Sequence, residues 1–548
     1  MILMTEFSAR MRALLTVVAL LVAASGLADP LSLKRALENL LNHQPAATLG
    51  IHSDRMNPAQ MDESLLKSYQ KQGMQPIWVT PEGPGKRAAI LYETLKAASA
   101  EGLRSEDYRV GEIESLWSQR TDPQLAKLDI VLSVVLSTYV ADVRDGRAAS
   151  RKLDAEPFTV GDNPAPDPAT LAVEAANSED FQKFLADQPP GHAQYQRLKK
   201  ALSDYRTLAA NGEWEPVREG STLKPGMKND RILKIRAHLK RSGDLAADSP
   251  DSPIYDVALV AAVKQFQKRF LLQSDGAIGK KTVAAMNIPI SELIRRIVIN
   301  MERWRWLSHD LGDKRLFVNI AGFYLQGSRD NQIDLSMPVI VGKQYHKTPV
   351  FSGAIKYLEF NPYWNIPPSI VSDELYPGLL RDSNHLNKKH IRIFSGSGKD
   401  AVEVDSAAVD WSTVGKRGIN RYHLRQDPGP KNSLGNVKFI FPNPFHVYLH
   451  DTPTQSLFKR SRRDFSHGCI RVARPLELAS YLLGGAEKGW DIKRMEKIIK
   501  SRKRTVVSLD KPYPIHILYH TAAVGDDGLV YFAEDVYGRD RGLEKVLF

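Results

Sequence analysis

The chain has 548 residues, of which 43% are hydrophobic and 25% charged, and it carries a formal net charge of +12. That composition is ordinary for globular protein and excludes a disordered or fibrous chain, and the length suggests roughly three domains at about 150 residues each.

At the N-terminus, Arg10 and Arg12 precede an apolar stretch from Ala13 to Ala24, and small residues ending Gly26-Leu27-Ala28 follow before Asp29-Pro30. This is the layout of a secretory signal peptide, expected over 1–28, with an uncleaved N-terminal anchor as the alternative. A run of about twelve apolar residues falls short of the roughly 20 that a membrane-crossing helix needs. On an exported chain the positive charge suits a polyanionic wall or membrane surface rather than nucleic acid, although general solubility explains it equally well.

The region 29–222 reads as mostly helical, with patterned segments around Leu33 to Leu41, Ala88 to Ala98 and Leu128 to Val143. Breakers separate them: Pro81-Glu82-Gly83-Pro84-Gly85, Asn163 to Pro168, and Pro189-Pro190-Gly191. No chemical constellation stands out, so this is expected to be a scaffold or interaction domain. The tract Asp145-Gly146-Arg147 is either a contact or a helix end.

A second unit spans 223–290. Its first helix, Ile232 to Leu239, stops at Gly243, and the next carries Leu259, Val263, Phe266 and Phe270 on one face. The turn Asp275-Gly276-Ala277-Ile278-Gly279 then leads through Thr282 into a third short helix. Spacing alone gives a compact three-helix module, too small to bury much surface and so suited to binding. Phe266, Leu272, Asp275, Gly276, Gly279 and Thr282 resemble the signature of the peptidoglycan-binding helical domain. The resemblance implies a module that holds its chain near glycan or peptide strands.

A connecting helix with Trp304 and Trp306 is expected over 291–314, and the remainder, 315–548, turns to short β-type runs. These include Arg315 to Ile320, Phe323 to Leu325, Met337 to Val341 and Lys438 to Phe441. Between about Ile366 and Asp427 lies a stretch too long for an ordinary connection, expected to be an active-site lid or a surface excursion. Ile515 to Tyr519 and Leu529 to Phe532 read as two further strands completing the domain.

The chemistry concentrates near Cys469, the only cysteine. A single thiol forms no internal disulfide, and Ser466-His467-Gly468-Cys469 surrounds it with a small-residue turn. From Phe445 to His450 apolar and polar residues alternate, which predicts a strand with His446, Tyr448 and His450 on one face. A cysteine nucleophile needs a histidine to take its proton and donors to hold the oxyanion. Distance in sequence does not decide which histidine is the base. His450 is favoured because it can approach across neighbouring strands, whereas residues two apart, like His467 and Cys469, often point their side chains apart. His467 is expected to support the turn by hydrogen bonding. The amides of Gly468 and Cys469 are the expected oxyanion donors. Tyr448 either shapes the donor site or packs across strands, Trp364 lines the pocket or packs in the core, and Arg471 contacts a substrate carboxylate or makes a structural ion pair. No metal-ligand cluster or cofactor motif is visible.

His450, fifteen intervening residues and Ser466-His467-Gly468-Cys469 resemble the catalytic motif of the L,D-transpeptidases, the YkuD-type domain. The resemblance implies Cys469 as nucleophile, His450 as its base, and the backbone carbonyl of Asp451 as the orienting third member. Many relatives have Asn two places after the cysteine, where this chain has Arg471. The order of parts is similar to that of the large YcbB-like members, a multidomain α+β architecture: helical scaffold, three-helix peptidoglycan-binding domain, and a mainly β catalytic domain with a capping insertion about 366–427.

The resemblance further implies attack on the carbonyl between the third stem residue and D-alanine of a tetrapeptide stem, release of D-alanine, and a thioester resolved by a second stem's amine as a 3,3 cross-link. Water as acceptor would make the protein an L,D-carboxypeptidase, and a lipoprotein lysine would make it an anchoring enzyme. A non-catalytic wall-binding scaffold that gathers other wall-synthesis enzymes is the reading from a different class. Peptidoglycan stem peptides are the implied partners, and the periplasm the implied compartment.

Overall fold

The computed structural model describes residues 30–43, 58–148, 168–330, 332–396 and 398–548. The stretch read as a signal peptide lies outside the described residues, as does most of the Asn163 to Pro168 breaker. Among the described residues no helix is long and apolar enough to cross a membrane.

In the N-terminal region, helices Pro30–His43, Lys86–Lys96 and Asp122–Asp145 form where the apolar pattern places them. The third has Pro123 in its first turn, where a missing N–H costs no hydrogen bond. Its Asp129 is fully buried and stays satisfied because its carboxylate accepts from the N–H groups of Ile77, Trp78 and Val79 and from the Tyr69 hydroxyl. Those bonds seat the segment leading into β1 (Val79–Thr80) and β2 (Gly83–Pro84), a minimal hairpin made from the first proline-glycine breaker.

The second unit has helices Arg231–Arg241, Val257–Arg269 and Lys280–Met286 around its own core. The Gln267 amide organises its turn. Its Nε2 donates to Asp275 Oδ1 and the Ala277 carbonyl at 3.1 and 2.9 Å, while its Oε1 accepts the Gly276 N–H at 2.9 Å. Gly276 sits at φ +74°, a conformation that disfavours a side chain. Several signature residues are therefore engaged in maintaining the turn. The module packs onto the C-terminal domain through Phe270 stacked on Phe532, with ring centroids 5.4 Å apart. Beside them Arg269 forms a buried ion pair with Asp244 and reaches the Val530 carbonyl.

Helix Ile290–Arg305 joins the parts. Glu302 and Arg305, both fully buried, pair at 3.0 Å. Glu302 Oε1 also accepts the Ala148 N–H at 2.7 Å, and Arg305 bonds the Tyr195 hydroxyl at 3.0 Å. Asp145-Gly146-Arg147 is thus a helix end docked against the connecting helix, with Arg147 paired to Asp107 at 2.6 Å.

The C-terminal domain is built on a nine-stranded sheet. Its strands are β3 (Lys314–Asn319), β4 (Tyr324–Arg329), β5 (Gln332–Gly342), β6 (Phe351–Phe360), β11 (Val437–Ile440), β12 (Leu449–His450), β13 (Asp464–Ser466), β14 (Ile470–Val472) and β15 (Thr505–Leu518). The order is β13-β5-β14-β12-β11-β6-β15-β3-β4, and β5 also pairs with β4, so the sheet closes on itself. Alternate residues such as Leu316, Leu358, Phe439, Leu449, Ile470 and Ile515 fill its interior. Burying each such side chain contributes about 1.5–3 kcal/mol, which fixes the register of the short strands that carry the chemistry.

Of the two tail strands, Ile515 to Leu518 joins the main sheet within β15. Val530–Phe532 (β17) instead pairs with β16 (Ala522–Val524) in a separate hairpin. The long insertion is a folded subdomain with its own core around Leu375, Leu386, Ile393 and Trp411. Its four strands, β7 (Trp364–Asn365), β8 (Ile391–Ser395), β9 (Val402–Val404) and β10 (Tyr422–Gln426), order as β7-β10-β8-β9, so its entry and exit pair side by side.

Candidate active site

Cys469 ends the turn between β13 and β14. Gly342 of β5 lies against this turn, and a side chain there would strike the His346 carbonyl and crowd Gly468, so only glycine fits. Thr348 locks the arrangement: its hydroxyl accepts the Gly342 N–H at 2.9 Å and donates to the Gly468 carbonyl at 2.8 Å. Tyr537 reinforces it by donating to the Gly342 carbonyl at 2.6 Å.

The expected donor pair needs correction at Gly468. Its N–H is occupied by the Ser466 hydroxyl at 3.1 Å, and that hydroxyl in turn donates to the Cys469 carbonyl at 2.5 Å. Ser466 therefore shapes the turn, while Gly468 contributes its φ of +113°. Among the described residues the Cys469 N–H makes no hydrogen bond. The sulfur receives the N–H and hydroxyl of Tyr448 and lies 3.9 Å from the His446 carbonyl. Burial pushes the thiol above its ordinary value, while Tyr448, Lys438 and Arg471 pull the other way.

The strand predicted from Phe445 to His450 is only Leu449–His450. Asn443 captures the preceding residues in a turn, its Oδ1 accepting from the N–H groups of Phe445 and Val447 at 3.1 Å each. His446 then takes the left-handed conformation, φ +55°, so it does not share a strand face with Tyr448 and His450. These two rings remain neighbours, with centroids 5.7 Å apart. Lys438 lies over the Tyr448 ring at 3.8 Å, a cation the sequence pattern did not flag.

β12 runs parallel to β14 with Leu449 opposite Ile470 and His450 opposite Arg471, which sets Tyr448 beside Cys469 and His450 one pleat further on. His450 Nδ1 meets the Asp451 carbonyl at 2.5 Å. A carbonyl only accepts, so Nδ1 carries the proton and a neutral ring keeps its lone pair on Nε2. Burial, followed by Arg471, drives the His450 pKa down to about 3, against the opposing carbonyls of Asp451 and Leu434. The ring is therefore neutral at pH 7. Asp451 is itself pinned, its carboxylate accepting from the N–H groups of Asn436 and Thr452 at 2.8 and 2.7 Å. Among the described residues no hydrogen bond joins His450 to Cys469 in this resting arrangement.

His467 also departs from expectation. Rather than bonding its own turn, it reaches Glu374 of the insertion, Nε2 to Oε1 at 2.5 Å, and packs on the His346 ring with centroids 5.0 Å apart. Burial lowers the His467 pKa, and Glu374 opposes that. Arg471 is half-buried and forms no ion pair among the described residues; burial lowers its pKa, and Cys469 and Glu374 oppose that. Trp364 does both things considered for it, packing on the insertion core while lining the pocket.

The pocket in front of Cys469 is about 600 Å³. One wall is the turn and Tyr448; the other is insertion residues, including Trp364, Pro367 and Ile370, so the insertion covers the thiol. Lys347 and Lys438 make the lining cationic. Among the described residues no group of three metal-ligating side chains is present.

Three family profiles match the chain: a scaffold domain over residues 63–202, a "Putative peptidoglycan binding domain" over 228–286, and an L,D-transpeptidase catalytic domain over 313–507. A curated relative from Haemophilus influenzae, described as "Putative L,D-transpeptidase", is 33% identical over 290 residues. That match takes in 52% of this chain and 57% of the relative, so the chain spans little more than half the length of the curated protein it matches. Among solved structures, an L,D-transpeptidase from Mycobacterium smegmatis is 13% identical over 38% of this chain and 58% of its own, at a TM-score of 0.18. Another from Stackebrandtia nassauensis is 14% identical over 56% of this chain and 97% of its own, at a TM-score of 0.20.

Proposed function

We propose that this chain, which carries an L,D-transpeptidase catalytic domain, a peptidoglycan-binding domain and a scaffold domain in a YcbB-like architecture, forms 3,3 cross-links between peptidoglycan stems through Cys469. The observation that carries this reading is the thiol itself. It sits in a cationic pocket, is contacted by two donors of Tyr448, and lies on a strand turn paired with β12, whose His450, one pleat beyond Tyr448, is a neutral imidazole oriented by the Asp451 carbonyl.

Because the thiol is raised and His450 is neutral, the resting pair is uncharged, and proton transfer accompanies attack. His450 Nε2 takes the Cys469 proton as the sulfur bonds to the carbonyl carbon preceding the terminal D-alanine. The Cys469 N–H and the Tyr448 hydroxyl hold the oxyanion that forms. Collapse breaks the peptide bond, His450 returns its proton to the departing D-alanine amine, and a thioester remains. A side-chain amine of a second stem then attacks, loses its proton to His450, and leaves an amide while the thiol is restored. Lys347, Lys438 and Arg471 suit the carboxylates of such stems, and the protein acts in the periplasm.

Incubating the purified protein with disaccharide-tetrapeptides and weighing the products tests the proposal. Cross-linked dimers with free D-alanine are expected. Tripeptide monomers alone would mean an L,D-carboxypeptidase, and no turnover would mean a wall-binding scaffold.

A further inference from the structure

A second cleft, of about 480 Å³, shares no lining residue with the thiol pocket. Its floor is the outward face of the β3-β4 hairpin, where the cross-strand pairs Phe317 with Gln326 and Asn319 with Tyr324 stand side by side. Ser328 extends that face, and Trp304 of the connecting helix and His192 of the scaffold region form the facing wall. The cleft thus exists only where the catalytic sheet and the scaffold region meet.

Two observations indicate a built site. Trp304 Nε1 and Ser328 Oγ line the cleft, belong to residues 6% and 4% exposed, and have no hydrogen-bond partner among the described residues. Leaving buried polar groups unsatisfied costs about 1–3 kcal/mol each, and native proteins keep few of them. The cleft is also close to electrically neutral. Arg197 is paired with Asp526 at 2.9 Å, and Arg315 lies near Asp313 and Asp310. Burial holds His192 down to about 4 and His520 to about 3, so both are uncharged at pH 7.

We propose that this cleft binds a neutral saccharide bearing acetamido groups, such as a stretch of N-acetylated glycan. Phe317 and Tyr324 offer ring surface to the apolar face of a sugar, and Gln326, Ser328 and the Trp304 N–H offer partners to hydroxyl and acetamido groups. The imidazoles are neutral, Arg197 is paired with Asp526, and Asp310 and Asp313 offset Arg315, so the lining presents no net positive charge to a phosphate or carboxylate. The site is separate from the thiol pocket and does not depend on the reaction proposed there.

Chitotetraose titrated calorimetrically into the full chain is the test, with Gln326→Trp to fill the cleft and Gln326→Ala to remove one amide without adding bulk. Saturable binding is expected, weakened at least tenfold by Gln326→Trp and severalfold by Gln326→Ala, with thermal melts of both variants near that of the parent. Absence of binding up to millimolar sugar would overturn the proposal. So would binding left unchanged by both variants, which would locate the sugar elsewhere, including on the three-helix module.

Discussion

His467 Nε2 and Glu374 Oε1 stand 2.5 Å apart, so the turn that carries Cys469 is tied directly to the subdomain that covers it. Lys343 adds a weaker contact to the same carboxylate at 4.0 Å. The pair is partly exposed, and such pairs contribute about 1 kcal/mol or less, roughly a fivefold effect on an opening equilibrium. Glu374→Gln is therefore expected to speed alkylation of Cys469 by a bulky maleimide by up to about fivefold, with 1 M salt having a similar effect on the parent. An unchanged rate would mean that the contact does not restrain the insertion.

Tyr448 offers both its N–H and its hydroxyl to the sulfur, and its replacement by phenylalanine removes only the hydroxyl. The iodoacetamide rate of the parent should rise with pH to an inflection above 9.0, because burial raises the thiol from that value. In Tyr448→Phe the inflection should move higher still, and turnover should fall by about 10² if the hydroxyl also holds the oxyanion. A rate already level at pH 7 would show a resting thiolate and contradict the neutral-pair description.

Among the described residues, burial depresses the pKa values of five histidines from 6.5 to about 4 or below: His450 and His520 to about 3, and His192, His238 and His516 to about 4. The unfolded chain binds protons at these sites before the folded one does. Their contribution to stability is therefore complete above about pH 6.5 and lost as pH falls toward 4. Melting temperature should be level near pH 7.5 and drop progressively between pH 6.5 and 4.5. A level or rising profile over that interval would contradict the assignment of neutral buried rings.

The Arg269 and Asp244 pair lies where the three-helix module meets the catalytic domain. Arg269→Met strands a buried carboxylate and should cost about 3–5 kcal/mol in urea unfolding, whereas Arg269→Met with Asp244→Leu should recover much of that loss. Equal costs for the single and double variants would show that packing of the Arg269 stem, rather than the charge pair, holds the junction.

The long helices were legible because their apolar residues recur at a helical period, and the interval from His450 to Cys469 was legible because the motif is local. Phe445 to His450 misled. Its alternation satisfies a strand pattern, but Asn443 folds the first half into a turn through side-chain bonds that periodicity does not register. Chemistry alone points the Gly468 amide at the oxyanion, yet that amide is spent on Ser466 two residues away. Glu374 lies 93 residues from His467 and sits in a segment whose pattern suggested only a cover, so nothing local marked it as a partner of the turn. β6, ten residues long and central to the sheet, carries no clear strand pattern because Ser352, Gly353 and Lys356 interrupt its apolar run.

Cys469 is the proposed acylated nucleophile, and intact mass with peptide mapping after incubation with a carbapenem tests that role. The β-lactam carbonyl should acylate the thiol, adding one carbapenem mass on the peptide containing Cys469 and none in Cys469→Ala, which should melt like the parent. An adduct that persists in Cys469→Ala, or one mapped to another residue, would contradict the account.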